Sequence, residues 1–168
     1  MIKIIGLKGY IKNIEKFIKK TDDFVKKHNM KYQVFNADMI YGKDHITSSV
    51  NHATRAFKHK TNTTNSLEME ILLYSSGERQ IKLAIQKMGV KEGQGNIAIV
   101  FIYDNLIKEQ EIDKFLEQNQ LKRDDDILKG NINTLNKFGI TMEEIENVSK
   151  EKQGDLILER IAKVDILK

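Results

Sequence analysis

The run Asn96 to Tyr103 (NIAIVFIY) is apolar at every position after the first. A strand with one wet face alternates apolar and polar residues, so an unbroken run of this length describes a strand buried on both faces, which requires a sheet covered by other elements. Ile2 to Tyr10 alternate loosely into a glycine turn. Tyr32 to Met39 (YQVFNADM) repeat the strand signal, while Leu121 to Leu128 is ambiguous, with an edge strand conceivable around Asp126-Ile127-Leu128. The intervening segments carry helical spacing. The pattern predicts an α+β fold, a small mixed β-sheet covered by several helices, in one domain over residues 1–168.

The first helix places Ile14, Phe17, Ile18, Thr21, Phe24 and Val25 on one face. A second, from His45 to about Lys58, buries Ile46, Val50, Ala53 and Phe57 and sets Ser48, Asn51 and Arg55 on the opposite side, with Lys58 nearby. A polar loop, Lys58 to Ser66 (KHKTNTTNS), leads into two helices in tandem between Asn65 and Gly89. Asn65 is the expected N-cap, because Glu68 three residues on can reach back to its amide. Leu67, Ile71 and Tyr74 share one face and Met69, Leu72 and Leu73 spread round the others, so the first of the pair should be buried. Gly77 suits the left-handed residue that ends a helix. Ile81, Ala84, Ile85 and Met88 then form an amphipathic stripe closed by Gly89. Further helices are expected at Lys108 to Asn119, at Asn131 to Phe138 before Gly139, from a capping box at Thr141 and Glu144, and from Asp155 to Ala162, where Val164 to Leu167 either extend the helix or form a short strand.

Composition narrows the class. The 168 residues are 40% hydrophobic with no cysteine and no proline, which excludes a disulfide framework, a thiolate metal site and a cysteine nucleophile. No apolar run approaches the roughly 20 residues that span a bilayer, and the N-terminus reads as a strand rather than a signal peptide, so no membrane role and a cytoplasmic location, with the nucleus as a further possibility in a eukaryote, are expected. The 28 basic and 24 acidic residues give a net charge of +4 that is unevenly spread. From Lys43 to Thr64, Lys43, Arg55, Lys58 and Lys60 face Asp44 alone; from Asp104 to Asp126, eight acids face four bases.

Catalytic patterns are missing. His45, His52 and His59 fall on one helical flank, but seven residues rise about 10.5 Å, too far for two ligands of one metal. The G-x-G at Gly93 to Gly95 follows a helix and precedes a strand, the reverse of a phosphate-cradling loop. Glu68 and Glu70 point apart on their helix, and no G-x-S-x-G elbow carries a serine. Asp124-Asp125-Asp126 suits a solvated turn or a helix cap better than a cation site. Neither a cofactor, a metal nor a small-molecule substrate is expected, and the chain does not read as an enzyme.

What the sequence offers instead is a surface. The bend at Ser75-Ser76-Gly77 is expected to lift Ser75, Ser76, Arg79 and Gln80 beside a helix N-terminus, whose free N–H groups attract phosphate. Arg55, Lys58, Lys60, Asn62 and Asn65 add cations and amides of the kind that single-stranded nucleic acid requires, and Tyr74, His52 or His59 could offer a stacking face, although Tyr74 is equally explained as core.

The block LEMEILLYSSGERQIKLAIQKMGV is similar to the most recognisable stretch of the KEOPS-complex accessory-subunit family that includes the human PRPK-binding protein, whose hydrophobic E-x-L-L-x-x-S/A-G-x-R-Q-I-x-x-A-I-x-x-x-G run is matched at Glu70, Leu72, Leu73, Ser76, Gly77, Arg79, Gln80, Ile81, Ala84, Ile85 and Gly89. Ile2 to Gly9, Phe35 to Asp38, the pattern at His52, Ala53 and Ala56, and Phe138 to Ile140 resemble the family in the expected order. The resemblance implies a noncatalytic subunit that binds and stimulates the small atypical kinase, an ATPase, of KEOPS, the complex that helps make threonylcarbamoyl-adenosine in tRNA. Archaeal members also grip the single-stranded CCA end of tRNA. The expected tRNA contacts are Arg55, Lys58, Lys60, Asn65, Ser75, Ser76, Gly77, Arg79 and Gln80, drawn largely from charge. Leu83, and Leu156 and Leu158 of the last helix, are the apolar candidates for the kinase. A protein-only regulator that never touches RNA is the alternative.

Overall fold

The computed structural model describes residues 1–93 and 95–167. Three strands, β1 (Ile2–Lys8), β2 (Lys31–Asn36) and β3 (Asn96–Ile102), carry the sheet, and a two-residue β4 (Lys122–Arg123) closes one edge, in the order β2-β3-β1-β4. Every pairing is antiparallel, so the expected mixed sheet is corrected. The reason lies in the crossover. Helix α1 (Ile14–Lys27) connects β1 to β2 and leaves them pointing the same way, but β3 inserts between the two and runs against both, a split βαβ arrangement.

Strand period 2 sorts the core into two layers. Ile97, Ile99 and Phe101 of β3, with Ile5 and Leu7 of β1, face α1 and α5 (Glu109–Gln118). Ala98 and Val100, with Ile4 and Phe35, face a larger helical layer: α2 (Gly42–His59), α3 (Leu67–Ser76), α4 (Ile81–Met88), α6 (Ile132–Phe138), α7 (Met142–Glu146) and α8 (Gln153–Leu167). The continuous apolar run is therefore explained: β3 is the strand with a core on each side.

The ambiguous segment resolves into β4 and a 3-10 turn, Asp125–Leu128, that presses on β1. A Cβ at Gly6 would stand 2.4 Å from the Asp124 carbonyl oxygen, so only glycine admits this approach. Asp124 caps the turn by accepting from the Asp126 N–H, Asp125 accepts from the Gly6 N–H, and the three acids pair in turn with Lys8, Lys43 and Lys129. β2 stops earlier than expected, because Asn36 accepts from the Asp38 N–H and starts a 3-10 turn over Ala37–Met39. Gly139 ends α6 at φ 95°, Thr141 and Glu144 form the capping box of α7, and Val164 continues α8. Among the described residues no helix is long and apolar enough to cross a membrane.

Candidate nucleic-acid interface

The polar loop owes its shape to a buried acid. Glu70 is fully enclosed, and its carboxylate accepts from the backbone N–H groups of Thr63 (3.1 and 3.2 Å) and Thr64 (2.9 Å). Lys60 ends α2 at φ 58°, Thr61 N–H reaches back to the Ala56 carbonyl, and Asn62 donates to the Thr64 carbonyl. This places the α3 N-cap at Ser66, whose hydroxyl accepts from the Met69 N–H, and not at Asn65 as expected. Glu68 makes no capping box; it lies 3.5 Å from Lys31. Asn65 is left exposed on the loop.

At the bend Gly77 adopts φ 68°, as its position after the helix requires, and its N–H meets the Tyr74 carbonyl. The serines turn inward. Ser75 and Ser76 are both fully buried, which corrects their expected place on the surface. Residues 71–76 are buried without interruption because α3 packs against α2, α4, α8 and β2. Ser76 Oγ donates to the Leu73 carbonyl and accepts from the Glu78 N–H, tying the two helices together. Gly77 is half-buried beside Phe138 and Arg160. Arg79 and Gln80 alone of the bend candidates are exposed.

The three histidines of α2 occupy three environments. His59 is exposed. His45 is fully buried: Tyr41 N–H donates to its Nδ1 (3.2 Å) and its Nε2–H donates to the Ser75 carbonyl (2.8 Å). These partners hold the neutral Nε2–H tautomer, and burial pushes its pKa down to about 4 despite the opposing pull of the Ser75 carbonyl. His45 thereby satisfies a carbonyl in the last turn of α3 that the helix itself leaves open.

His52 and Arg55 converge on Asp165 near the end of α8, at 2.8 and 2.6 Å from one carboxylate oxygen, while the Tyr74 hydroxyl donates to the other. Burial works to raise the Asp165 pKa, but the bonds from Tyr74, His52 and Arg55 outweigh it and hold the carboxyl below its ordinary range. Burial and the Asp165 bond raise the Tyr74 pKa. Arg55 is thus a neutralised cation, and Tyr74 is core with its hydroxyl anchored, not a stacking face. Lys58, Lys60 and Arg79 are exposed and make no ion pair among the described residues. Lys58, Lys60 and Asn65 lie at the end of α2 and on the loop before α3, whereas Arg79 and Gln80 follow the other end of α3, at the bend whose Ser75 carbonyl meets His45.

The apolar candidates divide. Leu156 and Leu158 are partly buried against the helical core, whereas Leu83 is 42% exposed. Ile81 and Ile85, expected to be buried, are 39% and 47% exposed. α4 has eight residues, and Ala84 and Met88 are its buried ones. Of the residues that organise this region, Glu70 and Gly77 lay within the recognised motif, whereas the roles of His45 and Asp165 carried no local signal.

The model of a family described as kinase binding protein CGI-121 matches residues 10–165. Regulatory protein Cgi121 of Methanocaldococcus jannaschii is 38% identical over 71 residues, an alignment covering 42% of this chain and 45% of that protein. The matched stretch spans less than half the length of that relative.

Proposed function

This chain belongs to the kinase binding protein CGI-121 family, and on that premise we propose that it is a noncatalytic, cytoplasmic KEOPS subunit that binds and stimulates the complex's kinase and recruits tRNA by its single-stranded CCA end. The observation that carries the RNA half is that Lys58 and Lys60 at one end of α3 and Arg79 at the other are exposed cations without carboxylate partners among the described residues, with Asn65 and Gln80 exposed as well. Unpaired cations release condensed counterions when they meet phosphate, and neighbouring amides suit sugar and base edges. The loop held by Glu70 keeps Lys60 and Asn65 in place before any ligand arrives, which lowers the ordering cost of binding there.

The protein-only regulator is the second reading, and one observation favours it: Arg55 is already matched by Asp165, and Ser75 and Ser76 are buried, so the RNA surface is smaller than the sequence suggests. Charge reversal separates the two. Arg79→Glu and Lys60→Glu are each expected to weaken tRNA binding roughly tenfold at low salt while thermal unfolding and kinase binding stay unchanged. Wild-type tRNA affinity in both variants leaves the protein-only reading standing.

A further inference from the structure

β2 is a terminal strand of the sheet, and among the described residues it pairs with β3 alone. Its free edge lies along a groove of about 370 Å³ between the two helical layers. Ile14 and Ile18 of α1 form one wall, Met69 and Leu72 of α3 with Ile85 of α4 the other, and Val34 lies on the floor. Ile81, one helical turn before Ile85 on the same side of α4, is also exposed, so the apolar surface extends beyond the strand. The Val34 carbonyl takes a hydrogen bond from its neighbour's side chain, Gln33 Nε2, at 2.9 Å, as an acceptor on an open edge would.

Charge decides what kind of chain belongs there. In a protein of net charge +4 the groove lining contains two carboxylates, Asp22 and Glu68, and no lysine or arginine. Asp22 accepts from the Tyr32 hydroxyl, and Lys31, the first residue of β2, stands 3.5 Å from Glu68. A polynucleotide would bring phosphate towards these acids. A polypeptide brings N–H and C=O groups to the open edge, apolar side chains to the walls at every second residue, and can bring a cation to the acids.

We propose that this edge receives an extended segment of a partner protein as an added strand, with apolar residues at alternate positions and at least one lysine or arginine. The six residues of β2 span about 20 Å and take up a partner segment of similar length. The groove lining includes none of Lys58, Lys60 and Arg79, and the proposal does not depend on tRNA binding.

A display library of random linear decapeptides selected on the full-length protein tests it, with the enriched peptides then titrated against wild type, Ile85→Lys, Glu68→Lys and, as a control at a residue 83% exposed outside the groove, Leu106→Lys. Enriched peptides should alternate apolar residues around a basic one, bind Ile85→Lys and Glu68→Lys at least tenfold more weakly than wild type and Leu106→Lys, and slow amide exchange within residues 31–36. Absence of enrichment, selection of acidic or helically patterned peptides, equal affinity for all four proteins, or unaltered exchange in β2 overturns the proposal. So does sedimentation showing a dimer that Ile85→Lys dissolves, because the edge then belongs to a second copy. All four proteins should keep their unfolding temperature, and tRNA affinity measured alongside reports separately on Lys58, Lys60 and Arg79.

Discussion

At the scale of single residues, two buried polar groups hold the α2–α3 region. His45 is neutral in the folded chain with a pKa near 4, against about 6.5 when unfolded. Between these values the unfolded chain binds more protons, so stability is complete above about pH 6.5 and declines as pH falls towards 4, by roughly 3 kcal/mol for this group. Urea unfolding across that window should show the decline in wild type and a flatter profile in His45→Leu, which starts lower because the Tyr41 N–H and the Ser75 carbonyl lose their partner; parallel profiles would remove His45 as the cause. Glu70 acts on the loop. Glu70→Ala strands three backbone-to-carboxylate contacts and should cost about 3 kcal/mol, with faster amide exchange at Thr63 and Thr64; unchanged exchange there would show that the loop is held by other means. A sequence reader sees a histidine on a polar helix flank and an acid in an apolar helix, and neither pattern states which way the side chain turns.

At the scale of elements, the tandem helices were legible because their punctuation is local: Gly77 closes α3 at positive φ, and the two helices follow the expected lengths. The inward turn of Ser75 and Ser76 was not, since α3 is apolar on every side and periodicity cannot choose a wet face where none exists. The stripe of α4 misled for the opposite reason: a regular i, i+3, i+4, i+7 pattern was present, but the neighbouring elements cover only Ala84 and Met88 of it. Arg55 and Asp165 are 110 residues apart, beyond any spacing rule. That pair makes a prediction for α8. Asp165→Asn leaves an oxygen to accept from Tyr74 but releases the charge of Arg55, so tRNA affinity at low salt should rise a fewfold and the gain should vanish as salt increases. An affinity equal to or below that of wild type would mean that Arg55 lies outside the RNA path.

At the scale of the whole molecule, the number of sheet-forming segments and the burial of β3 followed from apolar patterning, whereas strand order did not. The β1-α1-β2 crossover suggests parallel neighbours, and only the long-range insertion of β3 makes the sheet antiparallel throughout. The same long-range assembly sets charge on the surface: it cancels some cations against distant acids and leaves Lys58, Lys60 and Arg79 free of them among the described residues. Three such cations on a single-stranded ligand give a salt slope near −2, or about a 15- to 20-fold loss of affinity between 50 and 200 mM salt. The most direct measurement is therefore the affinity of the intact protein for tRNA with its CCA end and for the same tRNA trimmed of it, at those two salt concentrations. Intact tRNA should bind more tightly and show that salt dependence, and trimming should abolish most of both; equal affinity for the two RNAs contradicts recognition of the single-stranded end.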